Sequence, residues 1–84
     1  MPEEDYPVND HHLAALCAKV AKERLLSQRE EEVLLLLAQR KSIGSIEQGL
    51  VIAKGTAKTH IRNVYRKLGV HSRDELVEYL EMHG

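Results

Sequence analysis

The chain has 84 residues, 43% of them hydrophobic and 30% charged, with three tyrosines as its only aromatics and a formal net charge of -1. A chain this short folds as one small domain that buries only about 60% of its unfolded surface, which excludes a large enclosed active site, and a core of Leu, Val, Ile and Ala suits packed helices better than a sheet sandwich. The single cysteine, Cys17, excludes an internal disulfide, and no signal peptide or run of about 18 apolar residues is present, so a soluble cytoplasmic domain without membrane contact is expected.

Residues 1–8 hold two prolines and three acids without periodicity and read as a flexible arm. Asn9 or Asp10 is placed to cap a helix running to about Arg24, with Leu13, Leu16, Cys17 and Val20 as its apolar stripe. That stripe needs a partner, either the rest of the domain or a second copy. Ser27-Gln28-Arg29-Glu30 has the form of a capping box, and Glu30, Glu31 and Glu32 sit where the helix dipole favours acids. A second helix is therefore expected from Gln28 to about Gln39, with Val33, Leu34, Leu36 and Leu37 inward and Leu35 on the other side. Ser42 can cap a short third helix carrying Ile43, Ile46 and Leu50, and a tight connection over residues 51–55 follows.

The next segment, Thr56 to Gly69, has the clearest purpose. As a helix it lines up Ala57, Ile61, Val64 and Leu68 in one narrow apolar stripe, while Lys58, Arg62 and Arg66 run at spacings of four along the other side, with Thr59 among them. Gly69 reads as a left-handed C-cap. Ser72-Arg73-Asp74-Glu75 repeats the capping box and opens a last helix with Leu76, Tyr79 and Leu80 inward and Val77 on the flank.

The charges are segregated along the chain. Residues 1–39 carry four Lys/Arg and eight Asp/Glu, residues 40–73 carry eight Lys/Arg against Glu47 alone, and residues 74–84 carry four acids and no Lys or Arg. A basic middle between acidic ends fits one nucleic-acid face, since phosphates attract Lys and Arg and the major groove admits one α-helix. Two short helices joined by a tight turn, the second cationic outside, make a helix-turn-helix.

The residues Leu26-Ser27-x-Arg29-Glu30-x-Glu32-Val33-Leu34-x-Leu36-Leu37-Ala38, then Lys41-Ser42, Ile46, Leu50-x-Ile52, Thr56-x-Lys58-Thr59-His60 and Tyr65-x-Lys67-Leu68-Gly69-Val70-x-Ser72-Arg73 closely resemble the C-terminal DNA-binding domain of LuxR-type, NarL-like bacterial transcription regulators. The resemblance implies an all-α fold, a four-helix helix-turn-helix domain over residues 25–84 preceded by a linker helix over 9–24. It implies base contacts from Lys58, Thr59 and Arg62, and backbone contacts from Ser42, Lys54, Thr56, His60, Arg66 and Lys67. It also implies a homodimer joined through Val77, Leu80 and Glu81 on a roughly palindromic double-stranded operator, with RNA polymerase as a further partner. Such domains follow a sensor, so the chain is expected to be the C-terminal part of a longer regulator.

Four positions depart from the family pattern: Arg40 stands where glycine is usual, Ile43 for asparagine, Glu47 for a small residue and Ala57 for valine. Glu47 is expected to weaken affinity. The alternative reading is a protein-interaction module of the same fold that has lost DNA binding. No catalytic constellation is present: Ser27, Ser42 and Ser72 are explained as caps, and none has a His and an acid at motif spacing. His11, His12, Cys17 and His71 match no zinc spacing, so neither a metal nor a cofactor is expected.

Overall fold

The computed structural model describes residues 5–83, which form five helices: α1 (Asp5–Glu23), α2 (Gln28–Ala38), α3 (Ile43–Leu50), α4 (Lys54–Leu68) and α5 (Arg73–His83). Serine hydroxyls open three of them. Ser27 and Glu30 complete the capping box of α2: the Glu30 N–H donates to Ser27 Oγ at 3.1 Å and the Ser27 N–H donates to Glu30 Oε1 at 2.9 Å. Ser42 Oγ accepts from the Ser45 N–H at 3.1 Å at the start of α3. Before α5 the expected box is only half formed. Ser72 Oγ accepts from the Glu75 N–H, but Glu75 Oε1 accepts from the N–H of His71, one residue earlier than a box requires.

The N-terminal boundary differs from expectation. α1 is already under way at Asp5, so Asn9 and Asp10 lie within the helix instead of capping it. Pro7 explains why this is tolerated: in the first turn of a helix an N–H has no intrahelical acceptor, so a residue without one costs little. Residues 1–4 of the expected arm lie outside the described residues.

The helix ends share one device. α1, α2, α3 and α4 are each followed by a residue with left-handed backbone, namely Leu25 (φ 58°), Arg40 (φ 63°), Val51 (φ 54°) and Gly69 (φ 76°). At each, the next N–H reaches back to close the last turn: Leu26 to the Ala21 carbonyl, Lys41 to Leu36, Ile52 to Glu47 and Val70 to Tyr65. This is the Schellman arrangement, which satisfies orphan carbonyls. Only Gly69 adopts it without a steric cost, because the other three carry a Cβ.

α2 is the hub. It packs against each of the other four helices, and Val33, Leu34 and Leu37 are completely buried. Around them sit Val20, Ile46, Ala57, Val64, Leu68, Leu76 and Leu80, with the half-buried Leu35 and Leu36 at the margin. α3 and α4 form the helix-turn-helix and touch each other and α2. α1 packs on α2 and α5, so the stripe of the first helix finds its partner inside its own domain, burying Leu16, Cys17, Val20 and Ala21. At the end of α1, Arg24 Nε donates to Tyr79 Oη at 2.7 Å, and the guanidinium lies 5.6 Å from the Tyr79 ring centre. Burial, with help from the charge of Glu31, pushes the Cys17 thiol up to about 12, which makes it a small core residue rather than a nucleophile.

Candidate nucleic-acid interface

The apolar stripe of α4 turns inward as the periodicity requires: Ala57, Val64 and Leu68 are buried and Ile61 half-buried. The opposite face is thereby held out to solvent. Lys54, Thr56, Lys58, Thr59, Arg62 and Arg66 are all exposed. The ion pairs found among the described residues join Arg29 to Glu32, Arg40 to Asp74, Lys67 to Glu30 and His71 to Glu75. None of them engages Lys58, Arg62 or Arg66, so three cations at successive turns keep their full donor capacity for an outside acceptor. Thr59 Oγ1 donates to the Gly55 carbonyl at 3.0 Å, which commits its proton and leaves its oxygen as an acceptor.

Beside this face lies a groove of about 610 Å³. Ile43, Ile61, Tyr65 and Val70 form its floor, and Lys58, Arg62, Arg66 and His71 stand around it. Sequence reasoning placed the cations but missed the floor. Tyr65 lies on α4 and Val70 in the loop that follows it, on either side of the left-handed turn at Gly69.

The remaining expected backbone contacts divide. Ser42 is exposed, and its hydroxyl both caps Ser45 and lies 3.2 Å from Ser45 Oγ. His60 is half-buried with Nδ1 sealed from solvent and without a hydrogen-bond partner, so Nε2 is the ring nitrogen left for a phosphate. Lys67, expected at the backbone, also has partners within the domain: its ammonium lies 2.8 Å from Glu30 Oε1 and 3.3 Å from the Leu25 carbonyl, which engages two of its three donors. The sequence signal for this pairing was the acid at the capping box, but nothing in the spacing placed it across the fold from Lys67. Arg73 was likewise unassigned; its guanidinium donates to the Lys41 carbonyl and fastens the start of α5 to the loop before α3.

Burial pushes the Glu30 carboxyl up, but the hydrogen bonds from Lys67 and Ser27, with the Lys67 charge, outweigh it and hold the group below its ordinary value. Glu47 is half-buried and one of its carboxylate oxygens is sealed without a hydrogen-bond partner. An orphaned buried acceptor of this kind costs about 1–3 kcal/mol, so the acid at Glu47 carries a cost within α3.

The three residues expected at the dimer surface lie together on α5. Leu80 is 3% exposed and belongs to the core, because α1 covers that side of α5. Val77 is half-buried and Glu81 exposed. Both line a cleft of about 310 Å³ between α1 and α5, together with Leu80, Leu13, Leu16 and Ala38. Among the described residues no group of three or more His, Cys, Asp or Glu is placed to hold a metal, and no helix is long and apolar enough to cross a membrane.

Residues 24–80 match the family described as bacterial regulatory proteins, luxR family (GerE). A relative, the HTH-type transcriptional regulator MalT of Serratia proteamaculans (strain 568), is 49% identical over 53 residues, which is 63% of this chain and 6% of the relative. The chain thus spans a small fraction of the length of that regulator. No solved structure matches the chain. The matched segment takes in α2, α3, α4 and most of α5 and leaves α1 outside. With a family match covering more than half its length, the chain belongs to the luxR family of bacterial regulatory proteins.

Proposed function

We propose that this domain binds double-stranded DNA sequence-specifically as the output part of a transcription regulator, with α4 in the major groove and no catalytic role. The observation that carries this reading is the exposed face of α4, where Lys58, Arg62 and Arg66 recur each turn without an internal counter-charge. Lys58 and Arg62 have donors suited to guanine O6 and N7, and Thr59 has an acceptor suited to an exocyclic amine. Ser42, Lys54, Thr56, Arg66 and His60 through Nε2 fix the register on phosphates. The parent regulator acts in the cytoplasm, and two copies bind half-sites about one helical turn apart, meeting through Val77, Leu80 and Glu81. Contact with RNA polymerase belongs to the same proposal.

The test is binding of the 84-residue chain to duplexes selected from a random-sequence pool, measured across a salt series. Affinity should fall steeply with salt, and Arg62→Ala should cost about 1–3 kcal/mol and relax the preference at one base pair. Undetectable binding at low salt, even by an artificially dimerised chain, would overturn the reading. For the dimer, Val77→Ser should weaken cooperative binding to two half-sites while sparing a single half-site; equal effects on both would remove Val77 from the interface.

A further inference from the structure

α4 is held to the rest of the molecule almost entirely by apolar packing. Ala57, Val64 and Leu68 form its buried stripe, and such contacts are non-directional. Such packing on α2, α3 and α5 places the helix, while a directional bond adds a separate constraint on its rotation about its own axis. Among the described residues, the only side-chain hydrogen bonds from α4 to another part of the chain are the two made by Lys67, to Glu30 Oε1 at 2.8 Å and to the Leu25 carbonyl at 3.3 Å.

These two bonds end on a rigid anchor. Glu30 Oε1 also accepts from the Ser27 N–H, and Ser27 Oγ accepts from the Glu30 N–H, so the carboxylate is fixed by the capping box of α2. Leu25 sits in the left-handed turn that ends α1. The Glu30 side chain is 8% exposed and that of Lys67 31%. Drawing Lys67 away toward a phosphate would leave a nearly buried carboxylate without its counter-charge, which is strongly unfavourable. The tie is therefore costly to give up when DNA is bound, and it constrains the rotation of α4 directionally.

We propose that Lys67 is a positioning residue for DNA reading, which fixes the rotation of α4 through Glu30 and the Leu25 carbonyl so that Lys58, Thr59 and Arg62 face the base edges. This rests on the DNA-binding reading above. Its role is opposite in kind to that of Arg66, the preceding residue, which is exposed and meets a phosphate directly.

The experiment compares two duplexes: one selected from a random pool by the wild-type 84-residue chain, and a scrambled version of it. Lys67→Met should lose about tenfold in affinity for the selected duplex, while binding to the scrambled duplex and its salt slope stay unchanged. Glu30→Gln, at a position buried away from any phosphate, should reproduce this, the double variant should be no weaker than either single one, and Lys67→Arg should restore most of the loss. Arg66→Ala serves as reference and should weaken both duplexes, with a salt slope shallower by about one. If Lys67→Met behaves like Arg66→Ala, Lys67 is a phosphate contact and the proposal is overturned. Equal loss on both duplexes with unchanged slope overturns it too, since that is the mark of mere destabilisation. Helical circular dichroism identifies any variant that fails to fold; if Lys67→Met is one, Glu30→Gln and Lys67→Arg decide between the same outcomes. Absence of salt-dependent binding by the wild-type chain is a separate result, which sinks the DNA-binding reading and the proposal together.

Discussion

α2 separates two unlike sides of the molecule. On one side α1 and α5 close against it and against each other, and their polar ends are tied inward: Arg24 bonds Tyr79, and the His83 ring stacks on the Tyr79 ring at 4.1 Å while its Nδ1 lies 2.7 Å from the Tyr79 carbonyl oxygen. On the other side α3 and α4 pack on α2 and on each other, yet Lys58, Arg62 and Arg66 on the polar face of α4 join none of the ion pairs found among the described residues. Among the described residues, α1 packs on α2 and α5 and not on α3 or α4. The same amphipathic pattern thus serves closure on one side and display on the other. Apolar periodicity alone does not distinguish a helix whose polar face is idle from one whose polar face is for use; that distinction lies in whether the polar groups have partners within the fold.

The sharpest way to break this contrast is to exchange the readouts. Leu16→Ala, on the closed side, removes a side chain that is 8% exposed in the core and should cost about 2–5 kcal/mol in urea denaturation, with the affinity of the folded chain for DNA unchanged. Arg62→Ala, on the open side, should change stability by no more than about 0.5 kcal/mol while carrying the binding loss described above. A neutral Leu16→Ala would mean that α1 is not part of the cooperative fold, and the closed side would lose its meaning.

Much of this architecture was legible in the sequence, for reasons that are local. The Ser27-x-x-Glu30 box and the Ala57, Ile61, Val64, Leu68 stripe each depend on residues within a few turns of one another, so α2 starts where expected and α4 ends where expected, though it begins two residues earlier, at Lys54. The exposed reading face follows from the same wheel. What was hidden depends on residues far apart or on unfavourable backbone. The left-handed turns at Leu25, Arg40 and Val51 carry no glycine to announce them. The cleft that Leu13 and Leu16 of α1 form with Val77 and Leu80 of α5 is invisible until the two helices are brought together. Lys67 looks like any cation on a helix until the fold brings it to Glu30, 37 residues away in sequence.

That last pairing gives a pH test that joins the two sides, since Glu30 opens α2 and Lys67 closes α4. The folded Glu30 carboxyl titrates below its ordinary value. A depressed carboxylate stabilises the fold fully above its unfolded value, about 4.3, and that contribution is lost as the pH falls through the folded value. Chemical denaturation between pH 7 and pH 2 should therefore show stability falling on the acid side, and Glu30→Gln should flatten the part of the fall that belongs to this group. An unchanged acid limb in Glu30→Gln would show that the pair with Lys67 adds nothing to the fold.

The smallest expected effect lies in the turn of the helix-turn-helix itself. Val51 occupies the left-handed region at φ 54° with its side chain 88% exposed, so a β-branched residue bears a backbone cost without a packing gain. The left-handed region costs an L-residue about 1–2 kcal/mol, and a glycine gives back about 0.5–1 kcal/mol of this through its greater freedom in the unfolded chain. Val51→Gly should therefore raise stability by roughly 0.5–1 kcal/mol, seen as a higher urea midpoint with an unchanged slope. DNA affinity should stay the same, because Val51 lies outside the α4 face and its backbone conformation is retained. Gly69→Ala is the mirror case: at φ 76° the same left-handed backbone would now carry a Cβ, and stability should fall by about 1 kcal/mol. If Val51→Gly instead destabilises the domain, the turn between α3 and α4 is held by the valine side chain, and the open side of the molecule contains packing that its exposure conceals.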